Sequence, residues 1–156
     1  MNATGDDGVR LRPAAAADVE RLTELVRAAY GHYVERLGGP PRPLVDDYAE
    51  VVATRDVTVA ERGGEIAGLI VLVVEDEGFT VDNVAVDPGH QGRGVGRALL
   101  EHAEQAAREA GFDSIRLYTH ERMTENLSLY ARLGYAEYDR RRLGDARLVY
   151  LRKRVR

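Results

Sequence analysis

The run Val84-Ala85-Val86-Asp87-Pro88-Gly89-His90-Gln91-Gly92-Arg93-Gly94-Val95-Gly96-Arg97 carries the most readable chemistry in the chain. It reads as the end of a buried strand, a glycine-rich turn and the first turn of a helix. The first N–H groups of a helix have no partner within it, and the helix dipole adds partial positive charge there. Such a turn suits a phosphate. Gly92, Gly94 and Gly96 remove the Cβ atoms that would hold a bulky ligand off the main chain. Two common phosphate loops are excluded. A P-loop needs Gly-Lys-Ser/Thr, and the only lysine of the chain is Lys153. The dinucleotide pattern G-x-G-x-x-G would need glycine at 97, where Arg97 stands. What remains is Q-x-x-G-x-G, formed by Gln91, Gly94 and Gly96. A bare match to it also fits a surface turn that caps an ordinary helix. The apolar strand before it and the long helix after it favour the ligand.

A second constellation lies near the C-terminus. Asn126 and Tyr130 are one helical turn apart and share a face, and Leu133-Gly134-Tyr135 follows. On the strand before the glycine turn, alternation puts Thr80, Asp82 and Val84 on one side and Phe79, Val81 and Asn83 on the other. A bulge there would exchange Asp82 and Asn83. His120 follows the next strand, and its unperturbed pKa of ~6.5 suits proton transfer near neutrality.

These groups need a scaffold, and the pattern supplies one. Val9 to Arg12 reads as a first strand, stopped by Pro13. Asp18 is expected to cap a helix whose buried stripe is Val19, Leu22, Leu25, Val26 and Ala29. Gly38 to Pro43 is a stiff break, and a second helix over Val45–Ala53 carries Tyr48. Val57–Ala60 and Ile66–Val74 form a hairpin turned at Gly63-Gly64. Phe79–Val86 feeds the glycine turn. The helix Val95–Ala110 is expected to face the sheet with Leu99, Ala103, Ala106 and Ala110, and Gly111 ends it. Ser114–Tyr118 is the next strand, so a right-handed parallel crossover is expected. Glu125–Leu133 is a shorter helix closed by Gly134, and Ala136–Leu143 and Arg147–Arg152 are the last strands, turned at Gly144-Asp145. The fold class is therefore α/β. One domain over residues 9–156 holds a mixed, mostly antiparallel sheet with one parallel β-α-β unit and helices on both faces. Residues 1–8 are expected to be loose.

Composition narrows the function classes. A chain of 156 residues fits one core. It has no cysteine, which excludes disulfides, thiolate metal sites and a cysteine nucleophile. No metal is expected. A net charge of −4 argues against nucleic acid as the main partner, and the basic tail Arg152–Arg156 reads as a solvated end. No run is long enough to span a bilayer, and the acidic N-terminus has no apolar signal core. No membrane association and a cytoplasmic location are the expectation.

With both motifs in place, the chain resembles the GCN5-related N-acetyltransferases, the GNAT family, from about Val9 to Lys153. The resemblance implies acetyl-coenzyme A as co-substrate and direct attack by an amine, with no acyl-enzyme. It implies that Gln91, Gly92, Arg93, Gly94, Val95, Gly96 and Arg97 hold the pyrophosphate. Main-chain groups of Val84, Ala85 and Val86 would pair with the pantetheine arm, and one of their N–H groups would polarise the thioester carbonyl. Asn126 would contact the cofactor. Tyr130 would be the general acid: a phenol of pKa ~10 keeps its proton at neutral pH and can give it to a thiolate whose acid has pKa ~8.5. Relatives often carry a basic glutamate on the strand before the glycine turn. Thr80 stands at the best-matching position, so Asp82, directly or through water, or His120 is left for that role. Tyr30, Tyr33, Asn83 and Thr119 are substrate-side candidates. The amine would enter past the first two helices and the Glu75-Asp76-Glu77 turn, with Tyr48 nearby. The stretch Asp82–Pro88 also looks like members that acetylate protein N-termini, so the acceptor stays open between a small-molecule amine and a peptide or protein N-terminal amine. A homodimer is possible by the same resemblance. The alternative is a non-catalytic acyl-coenzyme A sensor or partner-binding module on the same fold.

Overall fold

The computed structural model describes residues 8–156, so the expected loose N-terminus lies, but for Gly8, outside the described residues. Seven strands form one sheet in the order β1-β2-β3-β4-β5-β7-β6. They are β1 Arg10–Pro13, β2 Asp56–Arg62, β3 Glu65–Glu75, β4 Gly78–Val86, β5 Ser114–His120, β6 Ala136–Leu143 and β7 Ala146–Arg154. Every neighbouring pair is antiparallel except β4 and β5. The helices are α1 Val19–Tyr30, α2 Val34–Leu37, α3 Arg42–Val45, α4 Tyr48–Thr54, α5 Val95–Glu109 and α6 Thr124–Arg132. The α/β class, the mixed sheet and its one parallel unit match the sequence reading.

Two cores sandwich the sheet. Under α5, Leu99, Leu100, Ala103 and Ala107 pack on Ile70, Val81, Ile115 and Leu117. On the other face, Leu22, Leu25 and Val26 of α1 and Val51 of α4 pack on Val59, Leu69 and Val71. Burying each of these leucines contributes about 2 kcal/mol, which is why the apolar stripe rather than helix propensity fixes where α1 and α5 lie. The expected stripe of α5 is corrected at its end: Ala107 is buried, Ala106 is half-buried and Ala110 is exposed. A period of 3.6 residues carries Ala110 past the rim of the sheet.

Asp18 does not cap α1. It ends a short 3-10 turn, and its carboxylate accepts from the Ala15 N–H at 2.8 Å and from the Arg12 guanidinium at 2.8 and 3.0 Å. The charge of Arg12 outbids a local cap. The expected helix over Val45–Ala53 is split: α3 ends before Asp46, and α4 starts at Tyr48, where Asp47 accepts from the Ala49 N–H. Residues 38–45 thus form a strap between α2 and α4.

Gly68 on β3 explains how closely α5 approaches. A Cβ on Gly68 would lie 2.9 Å from the Ala85 carbonyl oxygen and 2.9 Å from Val95 Cγ1. No larger residue fits there without moving the first turn of α5 away from the sheet.

Candidate active site

The site begins where the sheet opens. β4 and β5 are paired only from Phe79–Ile115 to Val81–Leu117. Beyond that register β4 runs on to Val86 against β3, and β5 runs on to His120 against β7. The register of β4 against β3 shifts between Val71 and Leu72, so Asp82 is the extra residue of a bulge. A bulge bends and twists its strand, which parts β4 from β5 at that point. It also resets the alternation. Val81 belongs to the core under α5, whereas Asn83 faces α1 and α4. The expected grouping of Phe79, Val81 and Asn83 on one side is therefore wrong. The bulge does not exchange Asp82 for Asn83 but brings both toward the α1–α4 side.

The glycine turn is built on the end of β4. The Asp87 N–H donates to the Ala67 carbonyl at 2.8 Å, and its carboxylate accepts from Arg21 of α1 at 2.6 Å and from the Gly89 N–H at 2.8 Å. These bonds fix where the chain leaves the sheet. Gly92 and Gly94 take positive φ, 75° and 82°, and Gly94 sits in the left-handed region just ahead of α5. The first intrahelical bond of α5 runs from the Ala98 N–H to the Gly94 carbonyl. The N–H groups of Val95, Gly96 and Arg97 come before that ladder. Gly96 has ordinary helical φ, and a Cβ there would meet Val86 Cγ2 at 3.6 Å, ordinary contact. Nothing in the protein's own packing demands glycine at 96.

Two cavities flank the opening. One, of about 560 Å³, runs over the glycine turn and is bounded by Gln91, Gly92, Gly94, Val95, Gly96 and Arg97. The other, of about 390 Å³, lies under the strap 38–45 and is bounded on the sheet side by Asp82, Asn83, Tyr118, Thr119 and His120. Tyr30, Val84, Met123, Asn126 and Tyr130 line both. They form the wall where the cavities meet.

Each shared residue is held by its own element. The Tyr30 hydroxyl, at the end of α1, lies 2.9 Å from Asn83 Oδ1 and 2.9 Å from the Val84 carbonyl. Tyr130 is buried on α6 with its ring edge-on to Tyr135. Burial pushes its hydroxyl pKa above the phenol range, so it carries its proton at every ordinary pH. Asn126 and Tyr130 do share a face, as their spacing requires.

The remaining expected residues separate. Val84, Ala85 and Val86 line the glycine-turn cavity. Arg93 is exposed and bounds neither cavity. Tyr33 lines the glycine-turn cavity, where its hydroxyl donates to Glu125 at 2.7 Å. Hydrogen bonds from Tyr33, Arg36 and Thr124 hold the Glu125 carboxyl down at about 2. Asn83 and Thr119 line the strap cavity, as does Tyr30. Tyr48 lines neither: its hydroxyl donates to the Pro43 carbonyl at 2.8 Å and supports the strap from behind. The Glu75-Asp76-Glu77 turn is not at the entrance. Glu75 and Glu77 pair with Arg116, and Glu77 also with Arg141, and none of the three turn residues bounds either cavity.

The two base candidates differ in hydrogen bonding. Asp82 accepts from Arg55 at 2.8 Å and from the Tyr118 hydroxyl at 3.3 Å, with Arg42 at 3.4 Å. Its carboxylate thus sits between two guanidinium groups and a phenol hydroxyl. His120 accepts the Arg122 N–H on Nδ1 at 3.1 Å, so its neutral ring carries the proton on Nε2. Burial lowers its pKa and keeps it neutral. In that tautomer it donates to the cavity rather than accepting from it. Sequence reasoning missed Met123, the strap residues and Arg42. The prolines at 40, 41 and 43 marked a stiff break, but nothing local says that the break covers a cavity.

Among the described residues, no group of three or more His, Cys, Asp or Glu is arranged to hold a metal ion, and no helix is long and apolar enough to cross a membrane.

Known proteins share this architecture. The PaiA N-acetyltransferase from Thermoplasma acidophilum, solved in complex with coenzyme A, superposes with a TM-score of 0.79 over 94% of this chain and 98% of that one, at 18% identity. The ribosomal-protein-S18-alanine N-acetyltransferase from Escherichia coli gives 0.72 over 94% of each, at 20% identity. At these identities the likeness is one of fold. In sequence, the [ribosomal protein bS18]-alanine N-acetyltransferase of Escherichia coli K12 is 37% identical over 84 residues, 54% of this chain and 56% of that protein. Streptothricin acetyltransferase from Streptomyces lavendulae is 32% identical over 75 residues, 47% of this chain and 40% of that protein. The chain spans about half the length of the curated relatives it matches. The family pattern described as Acetyltransferase (GNAT) family matches residues 19–135, which takes in α1, the parted strands, the glycine turn and α6. The chain belongs to the GNAT family.

Proposed function

We propose that this protein transfers the acetyl group of acetyl-coenzyme A to a primary amine, by direct attack in a ternary complex. The observation that carries the reading is the meeting of two cavities at Tyr30, Val84, Met123, Asn126 and Tyr130. One cavity has a helix N-terminus for a pyrophosphate, and the other is separate and closed over by the strap. A two-substrate reaction needs that arrangement, because the reactants must meet at a wall reached from both sides. Coenzyme A complexes of proteins with this fold support the choice of ligand.

In this reading the free N–H groups of Val95, Gly96 and Arg97 bind the pyrophosphate, with Arg97 adding a charge-assisted bond. The edge of β4 beyond Val81, which β5 leaves unpaired, takes the pantetheine amides as a strand would. The thioester carbonyl then lies against the shared wall, where an N–H of Val84, Ala85 or Val86 polarises it. The amine nitrogen attacks from the strap cavity. As the C–N bond forms and the C–S bond breaks, Tyr130 gives its proton to the departing sulfur. The proton lost by the amine leaves through water in the strap cavity toward Asp82, the cavity's carboxylate nearest the opening of the sheet. His120 donates from Nε2 and orients the acceptor.

The test is release of thiol from acetyl-coenzyme A in the presence of a broad panel of primary amines, with product mass as a second readout. Amine-dependent release with a mass gain of one acetyl group supports the reading. Tight coenzyme A binding with no transfer to any amine would leave a sensor on the same fold instead.

A further inference from the structure

The lining of the strap cavity bears on which amine would be accepted, a question that rests on the transfer reaction proposed for this site. The cavity's volume of about 390 Å³ suits one small ligand. A polyamine carries several ammonium groups and binds where several carboxylates are unpaired. Among the described residues, Asp82 and Asp145 are the carboxylates of this lining. Asp82 already faces Arg55 at 2.8 Å and Arg42 at 3.4 Å, and Asp145 is exposed on the turn between β6 and β7. Asp82 is therefore already balanced by cations, and exposed Asp145, screened by solvent, adds little hold on a second ammonium group.

Cations are equally committed. A free amino acid brings a carboxylate that needs one. Arg42 is the guanidinium of the lining, and it donates to Asp46 and to the Asp82 carbonyl, the latter at 2.7 Å. His120 is kept neutral by burial. Of the other polar side chains of the lining, Asn83 is engaged with Tyr30 and Tyr48, Tyr118 with Asp82 and Thr119 with Met123. Beside them lie apolar groups: Leu117 and Leu148 on the sheet, Met123 just ahead of α6, and Pro40, Pro41 and Pro43 on the strap. Proline has no N–H, and the N–H groups of Gly38, Gly39 and Leu44 are already bonded to the Glu35, Val34 and Pro41 carbonyls, so a peptide laid along the strap finds few donors there for its carbonyls.

We propose that the acceptor is a primary monoamine on a short, uncharged, apolar or aromatic stem. The stem packs between Leu117, Leu148 and the strap prolines. Its amine reaches the shared wall beside Asn126 and Tyr130.

The experiment compares kcat/KM for 2-phenylethylamine, spermidine, phenylalanine and an alanine-initiated hexapeptide at saturating acetyl-coenzyme A. The expected result is that 2-phenylethylamine exceeds each of the others by at least tenfold. Equal or better use of spermidine, phenylalanine or the hexapeptide overturns the monoamine while leaving acetyl transfer standing. No transfer to any of the four, or to the wider panel, by protein that binds coenzyme A overturns the transfer reading and the acceptor with it. A Leu148→Asp variant provides a second arm. Leu148 is only half-buried, so the fold tolerates the change, and coenzyme A affinity checks that it does. The new carboxylate should lower kcat/KM for 2-phenylethylamine about tenfold and narrow its lead over spermidine. An unchanged ratio between the two amines would contradict the proposed seat of the stem.

Discussion

The Tyr30 hydroxyl and the Val84 carbonyl lie 2.9 Å apart, and this contact ties the end of α1 to β4 just beyond the point where β5 departs. The Val84 carbonyl is on a strand edge that has lost its neighbour, so a side chain from another element satisfies it. The same hydroxyl reaches Asn83, whose amide donates to Tyr48. A chain of polar contacts thus holds the bulge open from the α1–α4 side.

Tyr30→Phe removes the one O–H that Asn83 Oδ1 and the Val84 carbonyl share and leaves an acceptor at this junction without its donor. The expected cost is about 1–3 kcal/mol of stability, read by urea unfolding. The KM for acetyl-coenzyme A should rise as the β4 edge loosens. A variant as stable as the parent, with unchanged KM, would remove Tyr30 from this role.

Tyr130→Phe tests the acid. The phenol buries no charge and the ring keeps its contact with Tyr135, so the fold should hold. We expect kcat to fall roughly 100-fold, the lower range for general acid catalysis, with coenzyme A affinity unchanged. Because burial raises the hydroxyl pKa above the phenol range, the parent enzyme should show no loss of rate from Tyr130 as pH rises toward 9. A parent rate that falls with a pKa near 8, absent in the Phe variant, would contradict this.

Much of the fold is legible in the sequence. The apolar periodicity of α1, α5 and β3 is strong because each buries a full stripe, and the glycine turn declares itself by type and spacing. Local rules fail where distant groups decide. Asp18 has the chemistry of a cap, but Arg12 on the neighbouring strand takes it. The bulge at Asp82 leaves no mark in the alternation of β4, since its cause is the register against β3. The strap is visible as prolines and glycines, yet its roof-like position depends on Arg42 and Tyr48 reaching partners beyond it.

Gly68→Ala should be costly for a reason no propensity predicts. Its Cβ would enter the space of the Ala85 carbonyl, which is backbone and cannot rotate away. We expect a loss of about 1–3 kcal/mol and weaker coenzyme A binding, because the first turn of α5 must move. Thermal melting with and without coenzyme A checks both. A Gly68→Ala protein with parental melting would show that the strands yield there.

The Asp18 carboxyl is held below its usual range chiefly by the hydrogen bond from Arg12. A carboxyl depressed in the folded state contributes stability that is fully present above its unfolded pKa of about 3.9 and is lost as pH falls through the lower folded value. Asp18→Asn should cost about 1–2 kcal/mol at pH 7. Its deficit relative to the parent should shrink below pH 4, where the parent carboxyl also protonates. A deficit that stays constant from pH 7 to pH 2 would assign the loss to packing instead.

The role of the α5 N-terminus in holding the pyrophosphate is tested by the coenzyme A affinity of Gly96→Ala, measured by calorimetry beside its melting temperature. The packing has room for this methyl group, and alanine favours a helix over glycine by roughly 0.5–1 kcal/mol. The Gly96→Ala protein should be at least as stable as the parent and bind coenzyme A at least tenfold more weakly, because the methyl group stands where the pyrophosphate must approach the first N–H groups of α5. Unchanged affinity in that stable variant would contradict that role.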